Sequence, residues 1–482
     1  MHKSILLKTD SVGTRNSMSA QITQFLLVIL LVSLPIIIHA QQNDDINRFG
    51  VIEGFWFPDL TCELGVGWER IIFDWEQHQP DSPDDWYTLN VDDRWLRAAD
   101  ACNREVVAVL KHTPAWATDG TAGVGVPRGL TLPLDHPNNY WANFIHKTVD
   151  YYASRGVTHF IIWNEPDITS DTYGYEFEGT LEDYYQMLRV ASIVARQTNP
   201  AVVIHLAGTT YWHDVNEGRR PYMTRLIERI VSDPEAPQYD YYFDVLSLHI
   251  YFKTDTVYNI VTEMRQMLDS NDLSDKAIWI NETNAAPTID LAWPVNRPVF
   301  HLDLQHQANF LIQSVTLGLA AGAERIAVYK LYDQLLPEGG ESFGILSPSD
   351  ASVRPAFYTW QMMTEHFDDT VSASLQQTDT LDAVQLLHAN GQQTIALWAR
   401  TEHSTQVSLT STNDKAYQID MYGNITIMRP NNDEYSLSLS SALCEEGEGC
   451  FLGGNVVLIV QPQGQTTVRE MMPDNTITLE FD

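Results

Sequence analysis

Apolar residues fall along this chain in eight short runs that alternate with stretches of helical spacing, after which the rhythm changes. The runs are Arg48–Phe57, Trp68–Asp74, Glu105–His112, His159–Asn164, Val202–Gly208, Val245–His249, Ala277–Asn281 and Arg325–Leu331. Short apolar runs of this kind read as parallel strands covered on both faces. Between them, Tyr140–Ser154, Leu181–Gln197, Tyr222–Val231, Tyr258–Leu268 and Leu304–Ala321 carry apolar residues at helical spacing, and Gly156 or Pro200 follows an end. Eight strand–helix units over about 320 residues predict an α/β fold, a (β/α)8 TIM barrel with enlarged loops. The main rival is a doubly wound open sheet, which would carry a Gly-rich phosphate loop opening a helix after its first strand. Gly50-Val51-Ile52-Glu53-Gly54 does not open a helix in that way.

After about residue 368 short alternating runs take over: Thr394–Arg400, Gln406–Thr410, Ala416–Met421, Asn424–Met428, Tyr435–Leu439 and Asn455–Gln461. Gly, Asn, Asp and Ser turns separate them, as in an all-β sandwich. The expected organisation is a barrel over 41–367 and a smaller C-terminal β-sandwich over 368–482. The second part shows no catalytic constellation. Its expected role is to pack against the barrel, with carbohydrate binding as the alternative.

The first 40 residues read as an export signal. Phe25 to Ala40 is a 16-residue apolar stretch preceded by Lys3, Lys8 and Arg15, and cleavage after Ala40 is expected. That makes the protein secreted, periplasmic or extracellular. A membrane becomes a partner only if the leader stays uncleaved, and the stretch, with Pro35 inside it, is short of the roughly 20 residues of a spanning helix. Met18 is an alternative start, but no positive charge would then precede the apolar run.

Charge narrows the partners. The 482 residues carry a formal −34, and the leader itself is +2, so the rest stands at −36. Such a surface repels phosphate backbones and excludes nucleic acid as a partner, while a neutral polysaccharide is compatible with it. The acid excess serves solubility equally well. Four cysteines suit an oxidising compartment. Cys444 and Cys450 are six apart, Cys62 and Cys102 fall on two consecutive helices, and pairing within each couple is the favoured connectivity of three. No second Cys or His stands at ligand spacing around them, so neither metal nor cofactor is expected.

The candidate chemistry sits at strand ends, where barrels place their working groups. Glu165 and Glu282 lie 117 residues apart, each after an Asn and just past an apolar run, in IIWNEPD and IWINETN. They close predicted strands four and seven, whose ends face one another across a barrel mouth. Two convergent carboxylates are the usual machinery for glycosidic cleavage. One attacks the anomeric carbon and must stay ionised; the other protonates the leaving oxygen and must hold its proton. Tyr251 and His249, at the end of strand six, are placed to donate hydrogen bonds to the first. Asp74 and Glu76 end strand two and read as structural, though they are the best fallback catalysts. Asn281-Glu282-Thr283 is formally a glycosylation sequon whose place beside the expected nucleophile argues against use.

The chain here resembles clan A of the glycoside hydrolases, most closely family 39-like and family 5-like barrels. The resemblance rests on Trp163-Asn164-Glu165-Pro166 on strand four and on Glu282 after strand seven. His249-Ile250-Tyr251, Arg70 within strand two, His112-Thr113-Pro114-Ala115-Trp116 and Arg354-Pro355-Ala356-Phe357 add to it. It runs from about residue 48 to the C-terminus, since a barrel followed by a β-sandwich is also the family 39 layout. It implies Glu165 as acid/base, Glu282 as nucleophile and Asn164 on the sugar 2-hydroxyl. Tyr251 would orient Glu282, Arg70 would support it, and His112 and Trp116 would line the sugar site. The chain departs from the pattern at strand eight, where many members place a Trp. Here Tyr329 stands in its stead and Lys330 can reach a hydroxyl or carboxylate.

The duller readings stay beside these: a buried ion pair for Arg70, core histidines for His112 and His249, loop packing for Trp116. Loop aromatics Tyr173, Tyr175, Phe177 and Trp293 can stack on sugars or on one another. The expected function is a secreted retaining glycoside hydrolase acting on β-glycosidic bonds of a polysaccharide or oligosaccharide. A transglycosylase using the same carboxylates and a non-catalytic sugar-binding barrel are the alternatives.

Overall fold

The structure is a computed structural model that describes residues 47–168, 174–447, 449–471 and 476–481. The expected leader, its cleavage site and Tyr173 lie outside the described residues. No helix among the described residues is long and apolar enough to cross a membrane.

Eight strands close into a parallel barrel: β1 (Phe49–Ile52), β2 (Trp68–Asp74), β3 (Glu105–Lys111), β4 (His159–Ile162), β5 (Val203–Leu206), β6 (Val245–Tyr251), β7 (Ala277–Asn284) and β8 (Arg325–Val328). The open-sheet rival is excluded, since β1 pairs with both β2 and β8. Strand positions follow the apolar runs, but several ends differ from expectation. Strands β1, β4, β5 and β8 stop early, while β6 and β7 run on. The left-handed backbone accounts for two of these early stops. Glu53 (φ 57°) leaves the ladder after β1, and Trp163 (φ 72°) and Glu165 (φ 40°) leave it after β4. His112 (φ 67°) and Phe252 (φ 62°) do the same beyond β3 and β6. Side chains with a Cβ seldom adopt that conformation, and it tends to gather where function requires it.

Inside the barrel, Trp68 and Trp279 meet with ring centroids 5.0 Å apart. Against Trp279 pack His159 and His205, both buried, which share a hydrogen bond of 2.9 Å between Nδ1 and Nε2. Burial pushes the imidazolium of His159 down to about 4, that of His78 down to about 4, and that of His205 well below its ordinary value. The unfolded chain therefore binds protons that the folded one refuses, and stability is lost as pH falls from about 6.5 towards 4. Two buried carboxyls, Asp167 and Asp382, both pushed up to about 6 by burial, act in the opposite sense. Urea midpoints taken from pH 7 to pH 4 are expected to fall more steeply for the parent than for His159→Gln. Equal slopes would assign the acid sensitivity elsewhere.

The C-terminal region forms a six-stranded and a four-stranded antiparallel sheet. It holds strands the alternation did not reveal, Thr370–Gln377, Leu381–His388, Thr466–Met471 and Thr476–Phe481, with a hairpin of Leu443–Glu445 and Gly449–Leu452. Thr370–Gln377 is mostly polar and half of its residues are exposed, so it carries little apolar signal. The helix Leu304–Ala320 is buried all round from Gln307 to Leu319, because the barrel covers one side and the larger sheet the other. Its polar residues stitch the two together. Gln313 Nε2 donates to the Gly454 carbonyl at 2.9 Å, and Asn309 Nδ2 to Asn455 Oδ1 at 2.6 Å.

Both expected disulfides are present, Cys62–Cys102 and Cys444–Cys450. Cys62 lies in the helix Pro58–Glu63 and Cys102 caps the end of Asp93–Ala101, and these helices are not consecutive, because the short helix Trp75–His78 intervenes.

Candidate active site

Glu282 lies inside β7 rather than just past it. The register shifts on both flanks of this stretch, and Glu282 comes to sit opposite His249 of β6. The bulge turns a buried strand residue towards the barrel mouth. The carboxylate there is gripped from three sides. Arg70 of β2 reaches it through Nη2, Tyr251 donates its hydroxyl to Oε2, and His249 Nε2 stands 3.5 Å from Oε1. Burial alone would push the Glu282 carboxyl up. The Arg70 guanidinium, His249 and the Tyr251 hydroxyl outweigh burial and hold it below the usual carboxylate range. Burial beside that carboxylate pushes the Tyr251 hydroxyl well above the ordinary phenol range, so it stays a donor.

Glu165 has a different setting. It is half-buried, lines the cavity and accepts from a single described ring, His249 Nδ1, at 2.7 Å. Arg70 Nη1 lies 3.4 Å from His249 Nε2, and a guanidinium only donates. Nε2 therefore accepts, Nδ1 carries the proton, and His249 is oriented between the two glutamates. Oxygens of Glu165 and Glu282 and a ring nitrogen of His249 all lie within 4.8 Å of one another.

Gly208, just past β5, makes this possible. Its carbonyl accepts from the Glu165 amide at 3.0 Å. A Cβ built there would meet His249 Nε2 at 2.1 Å. Gly208→Ala is expected to push the imidazole from between the carboxylates and lower kcat/KM by about 100-fold, the scale of an ångström-sized misplacement. The circular-dichroism spectrum of the variant should remain that of the parent. An unchanged kcat/KM would show that the place of His249 is immaterial.

The cavity over these groups has a volume of about 230 Å³. Of the residues singled out in the sequence, Arg70, Asn164, Glu165, Tyr251, Glu282 and Tyr329 line it. His112 and Trp116 do not. His112 turns its Nδ1 to Asp74 Oδ2 at 2.8 Å, and Trp116 donates to the Gln79 carbonyl at 2.6 Å while packing on Trp75 and Tyr140. Phe177 packs on Trp163, and Trp293 ties its loop to the Gly340 carbonyl at 2.9 Å. These aromatics brace the loops. Asp74 also caps its helix, accepting from the Gln77 amide, and Asn281 is fully buried.

Glu53, Lys111 and Glu176 line the cavity and were not singled out. A charged residue ending an apolar run, as in EVVAVLK and FGVIE, was the available signal. The hairpin closed by Cys444–Cys450 also reaches towards this site. Ring centroids step from Phe451 to Phe300 (4.6 Å), Phe252 (5.1 Å), Phe343 (5.6 Å) and Tyr251 (5.3 Å).

No family model matches the chain, and no curated protein matches its sequence. Its fold is similar to those of solved glycoside hydrolases. A family 39 glycoside hydrolase from Bacteroides cellulosilyticus WH2 superposes with a TM-score of 0.65 at 15% identity, covering 87% of this chain and 82% of that one. A GH30 endoxylanase from Clostridium papyrosolvens C71 gives 0.55 at 12% identity, covering 87% and 97%. A GH39 β-xylosidase from Caulobacter crescentus gives 0.53 at 12%, also covering 87% and 97%. At such identities the likeness establishes the fold, a barrel followed by a β-sandwich, which is the layout the WNEP resemblance implied.

Proposed function

We propose that the protein is a secreted retaining glycoside hydrolase that cleaves β-glycosidic bonds of an oligosaccharide or polysaccharide. One observation carries the reading. Two carboxylates stand with oxygens within 4.8 Å, one held ionised by donors from Arg70 and Tyr251 and the other lining the cavity. A separation of that order leaves no room for a water between carboxylate and sugar, which favours direct attack over inversion.

In this reading Glu282 attacks the anomeric carbon, and the bond to the leaving oxygen breaks as Glu165 delivers its proton. A glycosyl ester of Glu282 results. Glu165, now ionised, takes a proton from water, whose oxygen attacks the same carbon and returns the carboxylate of Glu282. Arg70 and Tyr251 stabilise the charge that returns to Glu282 in the second step, while His249 stays on Glu165. Asn164 lines the same wall, within reach of a ring hydroxyl.

The test is proton NMR of the first-formed sugar from an aryl β-glycoside. The β-anomer should appear before mutarotation sets in, and first appearance of the α-anomer would sink the double-displacement reading. No turnover across a broad panel, with a folded protein that binds glycans, would favour a sugar-binding barrel.

A further inference from the structure

Two ion pairs stand at the cavity that the two-carboxylate chemistry does not use. Glu53, at the end of β1, pairs with Lys330, just past β8. Lys111, the last residue of β3, pairs with Glu176 in the loop beyond β4. Glu53, Lys111 and Glu176 line the cavity beside Glu165 and Glu282, and Lys330 adjoins it through its neighbour Tyr329. Both pairs are built in rather than draped over the surface. Glu53 reaches its place on left-handed backbone, and Trp163 Nε1 anchors the carbonyl of Glu176 at 2.8 Å. The lysine side chains are only 5% and 13% exposed. Taking such pairs out of water costs free energy that their mutual attraction repays only in part. On a cavity wall a ligand can supply the remaining partners.

An ammonium beside a carboxylate presents a donor next to an acceptor. Two neighbouring hydroxyls of a sugar ring, each able to donate and accept, complement that arrangement. The pairs also disfavour an acidic sugar. Arg70, Lys111 and Lys330 each already face a carboxylate, so a substrate carboxylate meets no spare cation among the described residues of the wall. Four carboxylates, Glu53, Glu165, Glu176 and Glu282, stand there against those three cations, and a fifth would be repelled. The cavity of about 230 Å³ is smaller than the roughly 300–1,000 Å³ of sites for larger ligands, and suits one ring.

We infer that Glu53–Lys330 and Lys111–Glu176 determine specificity by reading the hydroxyls of one neutral sugar ring beside the bond that is cut. This deepens the hydrolase reading and rests on it. The experiment measures kcat/KM and equilibrium binding for the full chain with aryl β-glycosides of neutral sugars, their monodeoxy analogues and the matching uronides. Parent, Lys330→Met, Lys111→Met and the conservative Lys330→Arg are compared.

The parent should prefer a neutral sugar to its uronide and lose about 100-fold or more on the analogue lacking a hydroxyl that is read. Lys330→Met or Lys111→Met should lose on the complete sugar but only severalfold on that analogue, with Lys330→Arg recovering part of the discrimination. A uronide preferred by the parent, or an equal loss on every analogue in both Met variants, overturns the inference. Absence of turnover with neutral-sugar binding still weakened by the Met variants would overturn the hydrolase reading and support the role of the pairs.

Discussion

Glu282→Gln is expected to lower kcat by about 10,000-fold or more on every β-glycoside that the parent turns over, with KM changed far less. An amide of the same shape keeps the cavity but cannot form the glycosyl ester. Its NH2 replaces one of the two oxygens that accept from Arg70 and Tyr251, so thermal unfolding must show a folded variant before the kinetics are read. Glu165→Gln should behave differently. A missing general acid matters most when the leaving oxygen is basic, so its loss should be largest on sugar leaving groups and smallest on activated aryl ones. Losses that grade with the leaving group in Glu282→Gln but not in Glu165→Gln would exchange the two roles.

Arg70→Met should be nearly as severe, by another route. Burial presses the Glu282 carboxyl up, and the Arg70 guanidinium is the largest influence pressing it down. Without Arg70 burial prevails, a smaller fraction of Glu282 is ionised at a given pH, and the acid limb of kcat/KM moves to higher pH. The loss is therefore expected to be greater at pH 5 than at pH 8.

Stability follows the same linkage. In the parent the lowered carboxyl contributes stability above the ordinary value of about 4.3, and this is lost as pH falls through the lowered folded value. The variant leaves a buried charge without its principal partner, a cost of about 3–5 kcal/mol at neutral pH that protonation relieves. Urea midpoints of parent and variant should thus converge as pH falls. A parallel offset at all pH values, with an unmoved acid limb, would show that Arg70 only fills space.

Taken together, the hydrophobic rhythm set the number, order and kind of the elements. Eight apolar runs separated by amphipathic stretches bury fully only as a parallel sheet wrapped in helices, so β2 and the helix Tyr222–Val231 lie where the pattern put them. The short run around WNEP and the one ending in NET marked two carboxylates for the barrel mouth by the same logic. Strands such as Thr370–Gln377 were silent because their neighbours, not their own alternation, hold them in the sheet.

Tertiary structure decided where strands stop and where side chains point. The left-handed turns at Glu53, Trp163 and Glu165 and the bulge at Glu282 are local departures that no period encodes. They persist because the closed barrel supplies Arg70, Tyr251 and His249 from other strands to hold what they present. Trp116 and His112 follow β3 at the barrel's working end, yet bonds to Gln79 and Asp74 turn them to the segment that ends β2. The partnership of Glu53 with Lys330 closes the ring between first and last strands, a contact across some 280 residues of chain. Periodicity reports only which face of an element is buried; which charged groups meet is set by closure of the barrel, because ion pairing acts through space and carries no signature along the chain.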